Sequence, residues 1–87
     1  MFHTWNVFED ITVCVYAVMR KNDPKSIKRL SKALGISESK IAYRMGNYIK
    51  LLQGNRADWH YSRQERKVFD WVMGCSAPKL LTILPAK

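Results

Sequence analysis

Between Ser37 and Lys50 the chain carries Ser39, Lys40, Tyr43, Arg44 and Asn47, a mixture of hydroxyls, one amide and cations. On one helix, Ser39 and Asn47 can hydrogen-bond base edges or phosphates. Tyr43 offers a hydroxyl and an apolar ring suited to a thymine methyl. Lys40, Arg44 and Lys50 suit phosphate oxygens, as does the hydroxyl of Ser37, which also suits a helix cap. Glu38 would repel phosphate or accept from a cytosine amino group, and capping is its simpler role. Just upstream, Lys25, Lys28, Arg29 and Lys32 follow the i, i+3, i+4, i+7 spacing of one helical stripe. The plainer reading of such a stripe is a solvated basic face. The chemistry on offer is recognition of a polyanion.

The rest of the chain offers little covalent chemistry. Cys14 and Cys75 form no CxxC pair, and His3 and His60 stand far apart, so no zinc spacing emerges and no metal or cofactor is expected. No acid/base pair or nucleophile constellation can be assembled, so an enzyme is the least expected class, and no small-molecule substrate is evident. The 87 residues allow one domain, with a net charge of +8 and a pI near 9.8. The apolar stretch Val13–Met19 is far short of the ~20 residues a membrane span needs. No basic region precedes an apolar run at the start, so no signal peptide is expected and the expected location is cytoplasmic, on the nucleoid when bound.

The elements that must position these side chains are punctuated at Asp23-Pro24, Gly35, Gly54-Asn55, Gly74 and Pro78. A first helix spans about Val7 to Arg20. Asn6 and Glu9 give a capping-box-like start, and the run from Ile11 to Met19 is apolar nearly all round. A second begins with Asp23 as N-cap and Pro24 at the first helical position, places Ile27, Leu30 and Leu34 on one stripe, and ends at Gly35. A third starts after Ser37 and runs to about Gln53, with Ile41, Met45, Tyr48 and Leu52 as its core face. Ser62-x-x-Glu65 is a capping box for a fourth, residues 63–73, with Val68, Phe69 and Val72 inward until Gly74. The tail, 75–87, reads as extended. Trp5, Trp59 and Trp71 read as core anchors. Trp59-His60-Tyr61 after Arg56 is the only stretch with the interleaving of a stacking platform, and a loop plug is the simpler reading.

The second and third helices, joined by Gly35-Ile36-Ser37, have helix-turn-helix proportions over residues 24–53. Ser31, four residues before Gly35, is small enough for the helices to approach, and Ile41 follows at the expected distance. Arg44 stands where an apolar residue is usual, and Met45 takes over its packing role. Gly46 in mid-helix costs about 1 kcal/mol relative to Ala, so it marks a close approach, either to a ligand or to another helix. Residues Arg20 to Lys67 hold thirteen Lys+Arg and four Asp+Glu, a net +9, while the remainder is net −1.

Leu34-Gly35-Ile36-Ser37-Glu38-Ser39-Lys40-Ile41-Ala42-Tyr43-Arg44-Met45-Gly46-Asn47-Tyr48 resembles the stretch LGRTxxSVAxKLxNF. That stretch belongs to the N-terminal helical region of bacterial HNH endonucleases and related restriction proteins. Trp5-x-x-x-Glu9-Asp10-Ile11 with Tyr16 is similar to that group's start, WTxEEL followed by an aliphatic helix. The resemblance covers about residues 5–52, is strongest over 30–48, and includes a Lys or Arg at the position of Arg44. It implies a DNA-recognition region normally attached to a nuclease. His3 and His60 with no intervening Asn arrangement cannot supply an HNH metal site, so the nuclease part of the pattern is missing.

The expectation is a small all-α bundle of about four helices with a short extended C-terminal tail, one helix-turn-helix DNA-binding domain over 1–87. Its third helix, 38–53, would read the major groove of double-stranded DNA, in a small transcriptional regulator of phage or mobile-element type. A homodimer would extend the reading to two half-sites, with the first helix and the tail as the surfaces available for it. The alternative is a protein-binding inhibitor or adaptor that acts on a nuclease or defence complex through the same scaffold.

Overall fold

In the computed structural model, which describes residues 4–20, 24–54 and 62–83, every regular element is a helix and no described residue lies in a strand. In chain order they are α1 (Val7–Arg20), α2 (Pro24–Leu34), α3 (Glu38–Leu52), α4 (Arg63–Met73) and α5 (Ala77–Ile83). The cap readings that fall on described residues hold. The Asn6 side-chain oxygen accepts the Glu9 N–H at 2.8 Å, and the Glu9 carboxylate accepts the Asn6 N–H at 3.1 Å. Ser37 caps α3, and Ser62 with Glu65 forms the reciprocal box at the start of α4. Asp23, the expected N-cap of α2, lies outside the described residues, as do His3, Trp59, His60 and Tyr61.

The all-round apolar run of α1 makes it the central element, because a helix with no polar stripe is stable only when neighbours surround it. Val13, Cys14, Val15, Tyr16 and Ala17 are buried, and α1 touches each of the other four helices. Ile41, Met45, Tyr48 and Leu51 of α3, Val68, Phe69 and Val72 of α4, and Leu30 of α2 complete the core. Cys14 and Cys75 are free thiols. No helix among the described residues is long and apolar enough to cross a membrane.

Three expectations need correction. The tail is not extended: residues 77–83 form α5, a fifth helix. Pro78 sits in its first turn, where a missing N–H costs nothing, and the Leu80 amide donates to the Ser76 carbonyl at 3.0 Å. An unpaired strand would leave its backbone unsatisfied, whereas a helix closes its own hydrogen bonds while Leu80 still reaches the core. Leu52, expected on the core face, is 38 % exposed because it ends α3, and Leu51 is buried in its place. Trp71 is no core anchor but 45 % exposed, while Trp5 packs partly against the core. The middle of α1 and Leu80, on the two surfaces expected to be available to a dimer, are consumed inside the chain.

Candidate nucleic-acid interface

The turn between α2 and α3 is fixed from three sides. Gly35 adopts φ 70°, the left-handed region that a side chain disfavours. The Ser31 hydroxyl donates to the Ile36 carbonyl at 2.6 Å, which holds the end of α2 to the turn. Ile36 itself is buried. At the head of α3 the Ser37 hydroxyl accepts the Lys40 N–H at 3.4 Å and lies 3.4 Å from the Ser39 hydroxyl. Rigid attachment of this kind is what a recognition helix requires, since misplacement of one end moves every side chain along it.

From this turn, one stripe of α3 points away from the core. Ser39 and Lys40 are exposed, Tyr43 is 68 % exposed, and Gly46 and Lys50 are half-buried. A Cβ placed on Gly46 would meet nothing within 4 Å among the described residues, so no described helix explains the glycine by close packing. On α2, Lys25, Lys28, Arg29 and Lys32 are all exposed. Lys28, Arg29 and Lys32 have no ion-pair partner among the described residues. These side chains are therefore the solvent-facing polar residues of α2 and of the outward stripe of α3.

Arg44 and Asn47 do not belong to that surface. Arg44 forms a bidentate pair with Asp10, Nε to Oδ1 at 2.7 Å and NH2 to Oδ2 at 2.8 Å, and reaches Glu65 Oε1 at 3.2 Å. Its guanidinium lies 5.1 Å from the centroid of the Trp5 ring. Asn47 is 3 % exposed and donates to Glu65 Oε2 at 2.9 Å. Gln64 adds a hydrogen bond to the Trp5 carbonyl at 2.9 Å and another to Asp10 Oδ2. The physical reason is that α4 covers one flank of α3. At about 100° per residue, Arg44, Asn47 and Leu51 form an i, i+3, i+7 stripe on that flank, so they turn inward beside the core face.

The network is buried ionic chemistry tying three helices together. Burial works to lower the Arg44 pKa, but the hydrogen bonds and charge of Asp10, with Glu65 behind them, leave it raised. Tyr48 is fully buried, and its hydroxyl has no hydrogen-bond partner among the described residues. Burial first, then the nearby charge of Asp10, pushes its phenol well above the usual range. The same two causes, in the same order, raise the Cys14 thiol. Sequence reasoning gave Glu65 only its capping role and missed Asp10. A signal was available: Asp10 directly precedes the apolar run of α1, and a carboxylate buried with that run requires a partner.

Among the described residues no group of three or more His, Cys, Asp or Glu is placed to hold a metal ion. Set against models of protein families, curated proteins and solved structures, the chain matches none.

Proposed function

We propose that this chain binds double-stranded DNA, laying the outward stripe of α3 in the major groove with α2 crossing the phosphate backbone, as a small transcriptional regulator does. The observation that carries this reading is the outward stripe Ser39–Tyr43–Gly46, with half-buried Lys50 at its end, on a helix whose core face and one flank are committed to packing. Tyr43 is a large aromatic held in solvent next to a notch, with hydroxyls and cations on either side. The exposed cations of α2 supply the sequence-independent attraction to phosphates. The resemblance of residues 34–48 to the DNA-recognition region of HNH-type endonucleases points the same way. Arg44 and Asn47 are withdrawn from the contact set, which leaves Ser39 and Tyr43 to meet bases, with Ser37, Lys40, Lys50, Lys25, Lys28, Arg29 and Lys32 toward phosphates.

The test is selection from random duplex DNA followed by titration of a selected and a random duplex at several salt concentrations. Lys28→Ala with Lys32→Ala weakens binding to both duplexes alike and flattens the salt slope by about two, one for each charge removed. Tyr43→Ala erodes the difference between the two duplexes by about 0.5–1.5 kcal/mol, the worth of one hydrogen bond. Equal binding of parent and Tyr43→Ala to every sequence, with an unchanged salt slope in the lysine variant, overturns the proposal.

A further inference from the structure

An open trough of about 600 Å³ runs between α1 and α4, and no residue of α2 or α3 lines it. Val7 and Ile11, one turn apart on α1, face Val68 and Trp71 of α4, and Arg63 and Lys67 stand along its edge. Lys79 of α5 adds a third cation, its Nζ 5.3 Å from the centroid of the Trp71 ring. Val7 and Trp71 are large apolar residues left exposed. Neither Arg63 nor Lys67 has an ion-pair partner among the described residues.

We infer that this trough is a docking site for an acidic amphipathic helix of a partner protein. Its apolar side chains would enter between Ile11 and Trp71 while its carboxylates meet Arg63, Lys67 and Lys79. Charge argues for that occupant over a second copy of this chain. Asp10 and Glu65 are buried and Glu9 is engaged in its cap, which leaves Glu38 and Asp70 as the exposed carboxylates among the described residues. A copy of a chain with net charge +8 would bring cations against cations. Shape argues for a helix over a small molecule. The walls are exposed side chains on one open side, whereas small-molecule sites enclose most of the ligand surface. Two helix ridges, Val7 and Ile11 on one and Val68 and Trp71 on the other, with apolar positions at helical spacing, are a surface that an i, i+3, i+4, i+7 pattern of anchors fits. The inference stands apart from DNA binding, because the trough and the α2–α3 surface share no residue.

The probe is a helical peptide of about 15 residues with Leu anchors at i, i+3, i+4 and i+7 and Glu flanks, titrated into the isotopically labelled full chain. A peptide with Lys in place of Glu, and decanoate, serve as comparisons. The expected result is resonance shifts centred on Val7, Ile11, Val68 and Trp71 with the Glu peptide and none with the Lys peptide. Arg63→Glu with Lys67→Glu weakens the Glu peptide about tenfold or more and admits the Lys peptide. Both positions are exposed, and an acid in the first turn of α4 suits the positive helix end, so these variants keep the fold, as circular dichroism verifies. Val7→Asp, at a third exposed position, also abolishes binding. Equal binding of the two peptides, binding of neither, decanoate alone filling the trough, or a dimer in sedimentation that Val7→Asp dissolves would each overturn the inference. Duplex DNA added to the same sample reports on α2 and α3, so failure of either reading leaves the other separately measured.

Discussion

Tyr43 and Arg44 are neighbours in sequence, as are Gly46 and Asn47, yet each pair divides between two faces of α3 about 100° apart. Tyr43 and Gly46 face open space, while Arg44 and Asn47 are locked to carboxylates from α1 and α4. Residue chemistry does not decide this division, since Arg and Asn are ordinary DNA-contacting types. What decides it is the number of neighbours. A helix touched by one element buries one stripe; α3 is touched by α1, α2 and α4 and buries two. The polar residues on the second stripe are then obliged to find partners inside.

The largest effect comes from breaking the inward side. Arg44→Ala leaves the Asp10 and Glu65 carboxylates buried without their cation, which costs about 3–5 kcal/mol, much of a small domain's stability. Urea unfolding followed by circular dichroism reads this as a lowered midpoint. Asn47→Ala strands one Glu65 oxygen and costs about 1–3 kcal/mol by the same measurement. DNA affinity per folded molecule stays at the parent value. Tyr43→Ala inverts that outcome, moving stability by less than about 0.5 kcal/mol while reducing discrimination between duplexes. Should Asn47→Ala alter sequence preference in a fully folded sample, the assignment of the two sides fails.

Alkaline pH probes the buried interior behind α3. The folded state holds the Tyr48 phenol and the Cys14 thiol at raised pKa. Their contribution to stability is therefore complete below the ordinary values, 10.0 and 9.0, and is withdrawn as pH climbs past them. Each contributes a slope of up to about 1.4 kcal/mol per pH unit above its ordinary value. Tyr48→Phe removes one of the two slopes, visible as a shallower fall of the thermal midpoint above pH 10. On the open side the expected change is of the opposite sign. Gly46→Ala stabilises α3 by about 1 kcal/mol, since its Cβ meets nothing, and lowers DNA affinity if the notch admits the duplex. Calorimetry and a DNA titration on the same preparation separate the two.

Most of the helical frame was legible in the sequence because caps and turns are local. Asn6/Glu9, Ser37, Ser62/Glu65, Gly35 and Pro24 each fix their boundary through a few neighbouring residues. The apolar stripe Ile41–Met45–Tyr48 was legible for the same reason. The misreadings share one cause, which is information held by other segments. Arg44 and Asn47 look exposed until α4 is placed over them, and Leu51 replaces Leu52 because that flank is covered too. Leu80, Leu81 and Ile83 read as a strand because a short apolar run fits either period, and burial of Leu80 against α1 settles it as a helix. Trp71 was placed in the core on the habits of its residue type, although Val68 and Val72 already fill the inward side of α4. The outward stripe of α3 was legible, and the trough beside Trp71 was not, because it exists only once α1 and α4 lie side by side.

Glu65 belongs to two structures at once. One oxygen receives the Ser62 amide that begins α4 and also the Arg44 guanidinium; the other receives Asn47. Winding the first turn of α4 and clamping α3 are consequently a single event, made or lost together. Amide protons at the beginning of this helix, which in most helices escape by fraying, should exchange no sooner than those of the central helix beneath it.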